Sequence, residues 1–208
     1  MNDKISVRIM GVPERLENIR KNQEILKIPD EQIFIDQDHV GVMFNARRAW
    51  LYPTDAPFTM VLQDDVELCD NFMSYCGRII NAHPHEVIGL VSSRLFKPVA
   101  GSKLPTKSPY VMVRDISGQG IMMPTEYVKP CIDTWMDERN GDDINIIRWA
   151  ERNGVKMLTT VPSLIRHIGR ESVFDPSRDV GDTKYFDRNP EYANWDCGYV
   201  TPIYNIIR

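Results

Sequence analysis

An α/β domain with a mostly parallel central sheet and helices on both faces is the fold class this sequence predicts. Three observations carry that expectation. Strand-like and helix-like segments alternate as β-α-β-α-β-α-β through the first half of the chain. Residues 58–62 are apolar except for Thr59, the pattern of a strand buried on both faces. They run straight into Gln63-Asp64-Asp65, a polar cluster at a carboxyl-terminal strand end, where open α/β sheets bind ligands.

Each element follows from its local pattern. Residues 5–10 alternate apolar and polar and read as the first strand, broken by Gly11-Val12-Pro13. Residues 14–26 form a helix, with Leu16, Ile19 and Leu26 in its apolar rhythm and Glu17, Asn18 and Lys21 opposite. Residues 33–35 are a short second strand ending at Asp36. Residues 41–50 read as a helix and 53–57 as a turn. After the third strand, residues 70–81 form a helix with Asp70 as its N-cap. Residues 87–92 are the fourth strand, 97–109 a polar loop with three prolines, and 110–114 and 120–123 two more strands. Residues 124–136 read as a helix that Pro130 interrupts. Residues 142–152 are a helix stopped by Asn153-Gly154, and 155–161 a late strand. The chain turns polar after Ile168. Without a linker or an internal repeat, residues 1–208 are expected to form one domain with a polar, aromatic-containing tail from about residue 169.

Composition excludes several classes. A content of 42% hydrophobic and 26% charged residues is that of an ordinary globular chain, long enough at 208 residues for a substantial core. A net charge of −4 gives no long-range attraction for nucleic acid, leaving only a local basic groove open. No run of 18 apolar residues offers a membrane anchor, and the N-terminus lacks a signal-peptide core. The expected compartment is the cytoplasm, or the host cytoplasm for a viral chain. Cys69, Cys76, Cys131 and Cys197 form no CxxC pair. Cys69 and Cys76 stand about two helical turns apart, too far for a disulfide, so reduced thiols are expected throughout.

Four constellations carry candidate chemistry. Asp64 and Asp65 are adjacent carboxylates whose repulsion a cation would relieve, and hard oxygen ligands suit Mg²⁺ or Mn²⁺. A polar turn is the plain alternative. Asp142 and Asp143 open a helix after Gly141, where acids also complement the helix dipole; either could act as a general base on a hydroxyl. His167, after the last strand, could ligate a metal through a neutral imidazole or be structural. Arg15, in the turn after the first strand, could reach a diphosphate or be a solvated surface arginine. Neither GxxxxGK[ST] nor GxGxxG is present. Gly118-Gln119-Gly120 allows close backbone approach to a ligand and is equally a plain turn.

In this order, over residues 5–173, these segments resemble the GT-A class of nucleotide-sugar glycosyltransferases, in particular families 2 and 25 with their strand-end DxD or EDD motif. The resemblance implies a Rossmann-like GT-A fold. It implies a donor site from Val12, Pro13, Arg15, Asp36, Arg47, Asp64, Gly118, Gln119 and Gly120, with Asn45 and Ala46 on the approaching helix. It implies Mn²⁺ or Mg²⁺ on Asp65 and His167, with Asp64 at the ribose or base. It implies a base from Asp142 or Asp143, inversion at the anomeric carbon, a nucleotide-diphosphate sugar donor, and a glycan, protein or hydroxylated phage-DNA base as acceptor. Gln63 departs from the family, which has a carboxylate there.

Two other classes compete. A nucleotidyltransferase would share the metal carboxylates, but would carry a Gly-rich loop with Lys or Arg after the first strand, which Gly11-Val12-Pro13 lacks. A nucleotide-sugar binding module with weakened catalysis draws support from Gln63. In the tail, Arg166, Arg170, Arg178, Lys184 and Arg188 interleave with Phe174, Tyr185, Phe186, Tyr192 and Trp195, a composition able to stack on bases. Asp175, Asp179, Asp182 and Asp187 among them favour a solvated or packing tail.

Overall fold

A computed structural model describes residues 3–92, 107–135, 141–169, 183 and 185–202. Its strands are β1 (Ile5–Gly11), β2 (Ile33–Ile35), β3 (Phe58–Gln63), β4 (Val66–Leu68), β5 (Val87–Gly89), β6 (Tyr110–Val113), β7 (Gly120–Pro124), β8 (Met157–Thr160), β9 (Ile165–His167) and β10 (Thr201–Pro202). Its helices are α1 (Leu16–Leu26), α2 (Val42–Leu51), α3 (Phe72–Ala82), α4 (Thr125–Ile132) and α5 (Asp142–Asn153), with short 3-10 turns at Pro13–Arg15 and Asp30–Gln32.

Eight strands form one sheet in the order β10-β6-β8-β5-β7-β3-β1-β2, and β4 and β9 form a second, antiparallel pair. The large sheet is mixed but mostly parallel, as expected. β7 runs against β3 and β5, and β6 runs against β8. Period-2 alternation in β1 and β3 sends side chains to opposite faces. Ile5, Val7, Ile9, Phe58, Met60 and Leu62 pack on α1 and α3, whereas Met10 and Val61 pack with α2, α4 and α5. Helices thus cover both faces. Among the described residues, no helix is long and apolar enough to cross a membrane.

The polar positions of β1 are not solvated. Arg8 is fully buried beneath α2, and donates to the carbonyls of Ala49 at 3.0 Å, Trp50 at 2.9 Å and Tyr52 at 2.6 Å. A cation at a helix C-terminus satisfies its orphan carbonyls and its dipole together. Ser6, on the same face, has a buried hydroxyl with no partner.

Several boundaries differ from expectation. Pro13 draws the first helical turn into a 3-10 conformation, so α1 begins at Leu16, which is exposed rather than part of the apolar face. Left-handed Asn71 (φ 55°), not Asp70, precedes α3; Asp70 instead donates its N–H to the Arg188 carbonyl at 2.8 Å. The fourth strand ends at Gly89: Leu90 still donates to Gly120 of β7, but its carbonyl accepts from Leu164, outside the sheet's strands. α4 ends at Ile132, two residues past Pro130, and Met136 lies outside the described residues. Residues 97–106 of the polar loop also lie outside them, as do Arg170, Phe174, Asp175, Arg178, Asp179, Asp182 and Lys184 of the tail. Asn153-Gly154 does stop its helix, with Gly154 left-handed at φ 66°.

The described tail packs. Trp195 is wholly buried, stacks against Tyr75 and Tyr110, and donates from Nε1 to the Pro190 carbonyl at 3.1 Å. Arg78 holds Asp196 through two nitrogens. β10 then adds a parallel edge strand beside β6.

Arg8→Ala strips three carbonyls of their donor at a buried helix end. It is expected to destabilise the protein by about 3 kcal/mol in urea unfolding. Ser6→Ala removes an unsatisfied buried hydroxyl and is expected to cost nothing; a loss comparable to that of Arg8→Ala contradicts this account.

Candidate active site

Strand register sets the site. Met10 pairs with Gln63 and Gly11 with Ile35, so β1, β2 and β3 end at one level. The residues that follow them emerge along one edge. β7 begins at that edge, because Gly120 pairs with Leu62.

Asp64 and Asp65 are both buried there. Val12 donates its N–H to Asp64 Oδ2 at 2.8 Å. Arg15 Nη1 bridges the pair, at 2.9 Å from Asp64 Oδ1 and 2.6 Å from Asp65 Oδ2. The 3-10 turn beginning at Pro13 aims Arg15 inward. Gly11 must be glycine for this packing, since a Cβ there would stand 2.3 Å from Asp64 Cβ. Two α1 residues missed in the sequence hold the turn itself. Asn18 donates to the carbonyls of Asp64 and Val66, and buried Asn22 to that of Val66 at 2.9 Å. Asn18 therefore faces the site and not solvent. A polar residue one helical turn before another, on the side of an apolar stripe, was the available signal.

The β4–β9 pair brings in His167. Val66 pairs with His167, whose Nε2 donates to Asp65 Oδ2 at 2.9 Å, and Ile168 donates its N–H to the Asp65 carbonyl at 2.8 Å. Gly169 closes over the contact: a Cβ there would lie 2.8 Å from Asp65 Oδ2 and 3.0 Å from His167 Nε2. Burial pushes the Asp65 carboxyl up, but His167 and Arg15 outweigh it and hold it below the usual carboxylate range. At Asp64 burial wins, and its carboxyl is raised despite Arg15 and the Val12 N–H. For Arg15, burial is outweighed by the two carboxylates, and its guanidinium is held above its ordinary value.

The second acid pair begins α5. Asp142 is 2% exposed and accepts from Trp50 Nε1 at 3.1 Å. Trp50 is a third residue missed in the sequence. Asp143 is only half-buried, and its Oδ1 accepts from the Ile144 N–H at 2.8 Å. Burial, reinforced by Asp143, pushes the Asp142 carboxyl up to about 7. Gly118 joins this pair to β3. A Cβ on Gly118 would lie 3.2 Å from Gln63 Nε2, 3.3 Å from Asp142 Oδ1 and 3.4 Å from Asp143 Oδ2. Gln119 anchors the loop by accepting the Gln63 N–H at 3.0 Å, and Gly120 starts β7.

Two further residues expected on the donor are committed to other contacts. Asp36 accepts the N–H groups of Val40 at 2.9 Å and Gly41 at 2.8 Å, shaping the entry to α2. Arg47 donates to the Trp135 carbonyl at 2.6 Å with its guanidinium over the Trp135 ring, linking α2 to the end of α4. Asn45 buttresses the strand ends, donating to the carbonyls of Phe34 and Gly11.

A divalent cation fits Asp65 and His167 chemically. Asp65 Oδ1 is buried without a hydrogen-bond partner, and an imidazole nitrogen stands across the same carboxylate. Among the described residues no group of three or more His, Cys, Asp or Glu is arranged to hold a metal by itself. Ligands from a bound molecule would have to complete the shell.

No protein-family model matches the chain, and no characterised protein sequence does. Solved structures do. The protein A197 from STIV is 13% identical, the alignment covering 87% of this chain and 94% of that one with a TM-score of 0.50. A Drosophila β-1,4-galactosyltransferase 7 mutant in complex with manganese, UDP-Gal and xylobiose is 11% identical over 90% of this chain and 79% of that one, with a TM-score of 0.46. The catalytic domain of the Drosophila enzyme with xylobiose is 10% identical over 88% and 77%, with a TM-score of 0.43. At such identities the likeness is one of fold. That fold is an α/β fold whose mixed, mostly parallel sheet carries helices on both faces.

Asp142 makes stability depend on pH. Its folded value of about 7 lies above its unfolded value, so the stability it contributes is complete below about pH 4 and is lost as pH rises through about 7. Asp142→Asn keeps an acceptor for Trp50 and removes the loss. The variant is expected to be more stable than the wild type at pH 8 and no more stable at pH 3.5, read from urea midpoints. Equal midpoints at pH 8 would contradict the burial of a charge.

Proposed function

We propose that the protein is a metal-dependent glycosyltransferase, moving a sugar from a nucleotide-diphosphate sugar to an acceptor hydroxyl with inversion at the anomeric carbon. One observation carries this reading: around Gly118 the α5 acids approach Gln63, the residue that precedes Asp64 and Asp65 at the end of β3. That approach supports a general base on the same edge as a leaving-group site.

The roles divide as follows. Val12 and Arg15 fix Asp64, and the Arg15 guanidinium matches a diphosphate in fork geometry. Asp65 and His167 would hold Mn²⁺ or Mg²⁺; the imidazole donor favours Mn²⁺. Such an ion, when bound, neutralises charge on the diphosphate leaving group. Gly118, lacking a Cβ, lets its loop pass close against Gln63 and the α5 acids, where a side chain would crowd all three. Asp143, the less buried of the two acids, takes the proton of the acceptor hydroxyl as its oxygen bonds to the anomeric carbon and the bond to diphosphate breaks. Asp142, locked by Trp50, keeps the start of α5 in place.

The described tail aromatics support a glycan or protein acceptor over a DNA base, because Trp195 is buried and Phe186 lies under Arg166. Four free cysteines fit a reducing cytoplasm. Gln63 favours a second reading, donor binding without transfer.

Donor hydrolysis with and without Mn²⁺, across a panel of nucleotide sugars, separates the two. Asp65→Ala is expected to keep its fold by circular dichroism and lose Mn²⁺-dependent turnover; unchanged turnover would sink the assignment. Asp143→Asn is expected to lower turnover by about 10²- to 10⁴-fold. Its donor affinity in calorimetry should stay at the wild-type value, and a parallel loss of affinity would mean Asp143 serves binding instead.

A further inference from the structure

The acid pair at the end of β3 is already neutralised by a cation belonging to the chain. Arg15 Nη1 contacts Asp64 Oδ1 and, at 2.6 Å, Asp65 Oδ2. The same Asp65 oxygen receives His167 Nε2 at 2.9 Å. The carboxylate oxygen and the imidazole nitrogen suited to a divalent ion are thus tied to each other and to Arg15. Asp65 Oδ1 alone of that carboxylate is buried with no partner.

A guanidinium and a divalent ion on the same Asp65 oxygen repel each other, so each weakens the other's hold on this carboxylate. A divalent ion also needs the His167 nitrogen as an acceptor, whereas here that nitrogen donates. Arg15 has somewhere to go. It stands at the joint between the 3-10 turn and α1, outside regular helix, and its side chain is 21% exposed. Arg47, the other arginine expected near the donor, is held by Trp135.

We infer that Arg15 gates the cation site: in the ligand-free protein its guanidinium occupies the acid pair, and it passes to the donor's diphosphate when the divalent ion arrives. This rests on the reading of the site as one for a nucleotide diphosphate and an ion. The ion frees Arg15 for the phosphates, and the phosphates draw Arg15 off the ion's ligands. Binding of each therefore strengthens the other by the same factor.

Calorimetry with MnCl₂ alone, nucleoside diphosphates alone (UDP, GDP, CDP and ADP) and both together tests this on the wild type, Arg15→Gln and Arg15→Lys. In the wild type, Mn²⁺ is expected to tighten binding of the preferred nucleoside diphosphate by about tenfold. Arg15→Gln is expected to bind Mn²⁺ alone about tenfold more tightly than the wild type and nucleoside diphosphate alone more weakly, with the coupling reduced to what direct contact between ion and phosphates supplies. Arg15→Lys retains the charge and should exclude Mn²⁺ as the wild type does. Unchanged Mn²⁺ affinity in Arg15→Gln, beside a wild type that binds both ligands, overturns the gate and leaves the proposed function standing. Nucleoside diphosphate binding that ignores Mn²⁺ and disappears in Arg15→Gln makes Arg15 a permanent substitute for the ion, which also overturns it. No nucleoside diphosphate binding to the wild type with Mn²⁺ removes the proposed function and the gate with it.

Discussion

Two adjacent carboxylates buried at the end of β3 are the constraint around which the rest of this site is arranged. Burying one unpaired carboxylate is costly, and two neighbours repel. The chain meets that cost from three directions. β1 delivers the Val12 N–H, the 3-10 turn delivers Arg15, and β9 delivers His167. The β4–β9 pair serves twice: Val66, Leu68 and Ile165 join the core, and the same pairing sets His167 against Asp65. The asparagines of α1 serve the same end by fixing the backbone between the acids and Val66.

The legible parts of the fold were those with local causes. The apolar run 58–62 becomes β3, and Asn153-Gly154 ends α5, because burial and left-handed backbone are written in residue type. Asp65 and His167 were paired by resemblance, and the structure does bring them together. What stayed hidden depended on distant partners. Trp50 looks like one more apolar residue in a helix until Asp142, 92 residues later, accepts its indole N–H. Arg8 looks like the solvated side of an alternating strand until α2 ends above it. The contacts of Asp36 with the Val40 and Gly41 amides and of Arg47 with the Trp135 carbonyl depend likewise on the folded chain. Residue type reveals what a side chain can do, while its partners decide which of those things it does.

The tail shows the same rule acting on composition. Basic and aromatic residues in alternation suggest a surface for bases, but Trp195 joins a web with Tyr75, Tyr110 and His83, and Phe186 lies under Arg166. Bulky aromatics bury large areas, and a segment that ends by adding β10 to the sheet edge has a core to join. Nothing in the local sequence separates stacking on bases from stacking on a helix.

The two acid pairs are chemically alike and electrostatically opposite. Around Asp65, His167 and Arg15 overcome burial and favour the ionised form, the form that attracts a cation. Around Asp142, among the described residues, one indole N–H and the first amides of α5 hold a carboxyl that burial and Asp143 push up to about 7. One strand-end edge therefore carries a carboxyl held below its usual range and, on the acid pair that the Gly118 loop brings near Gln63, one pushed up to about 7. Partner choice, more than depth of burial, sets that difference. It also explains why Gln63 is tolerable between them: a third carboxylate beside Gly118 would face Asp142 and Asp143 and raise the cost of ionising either, whereas an amide adds none.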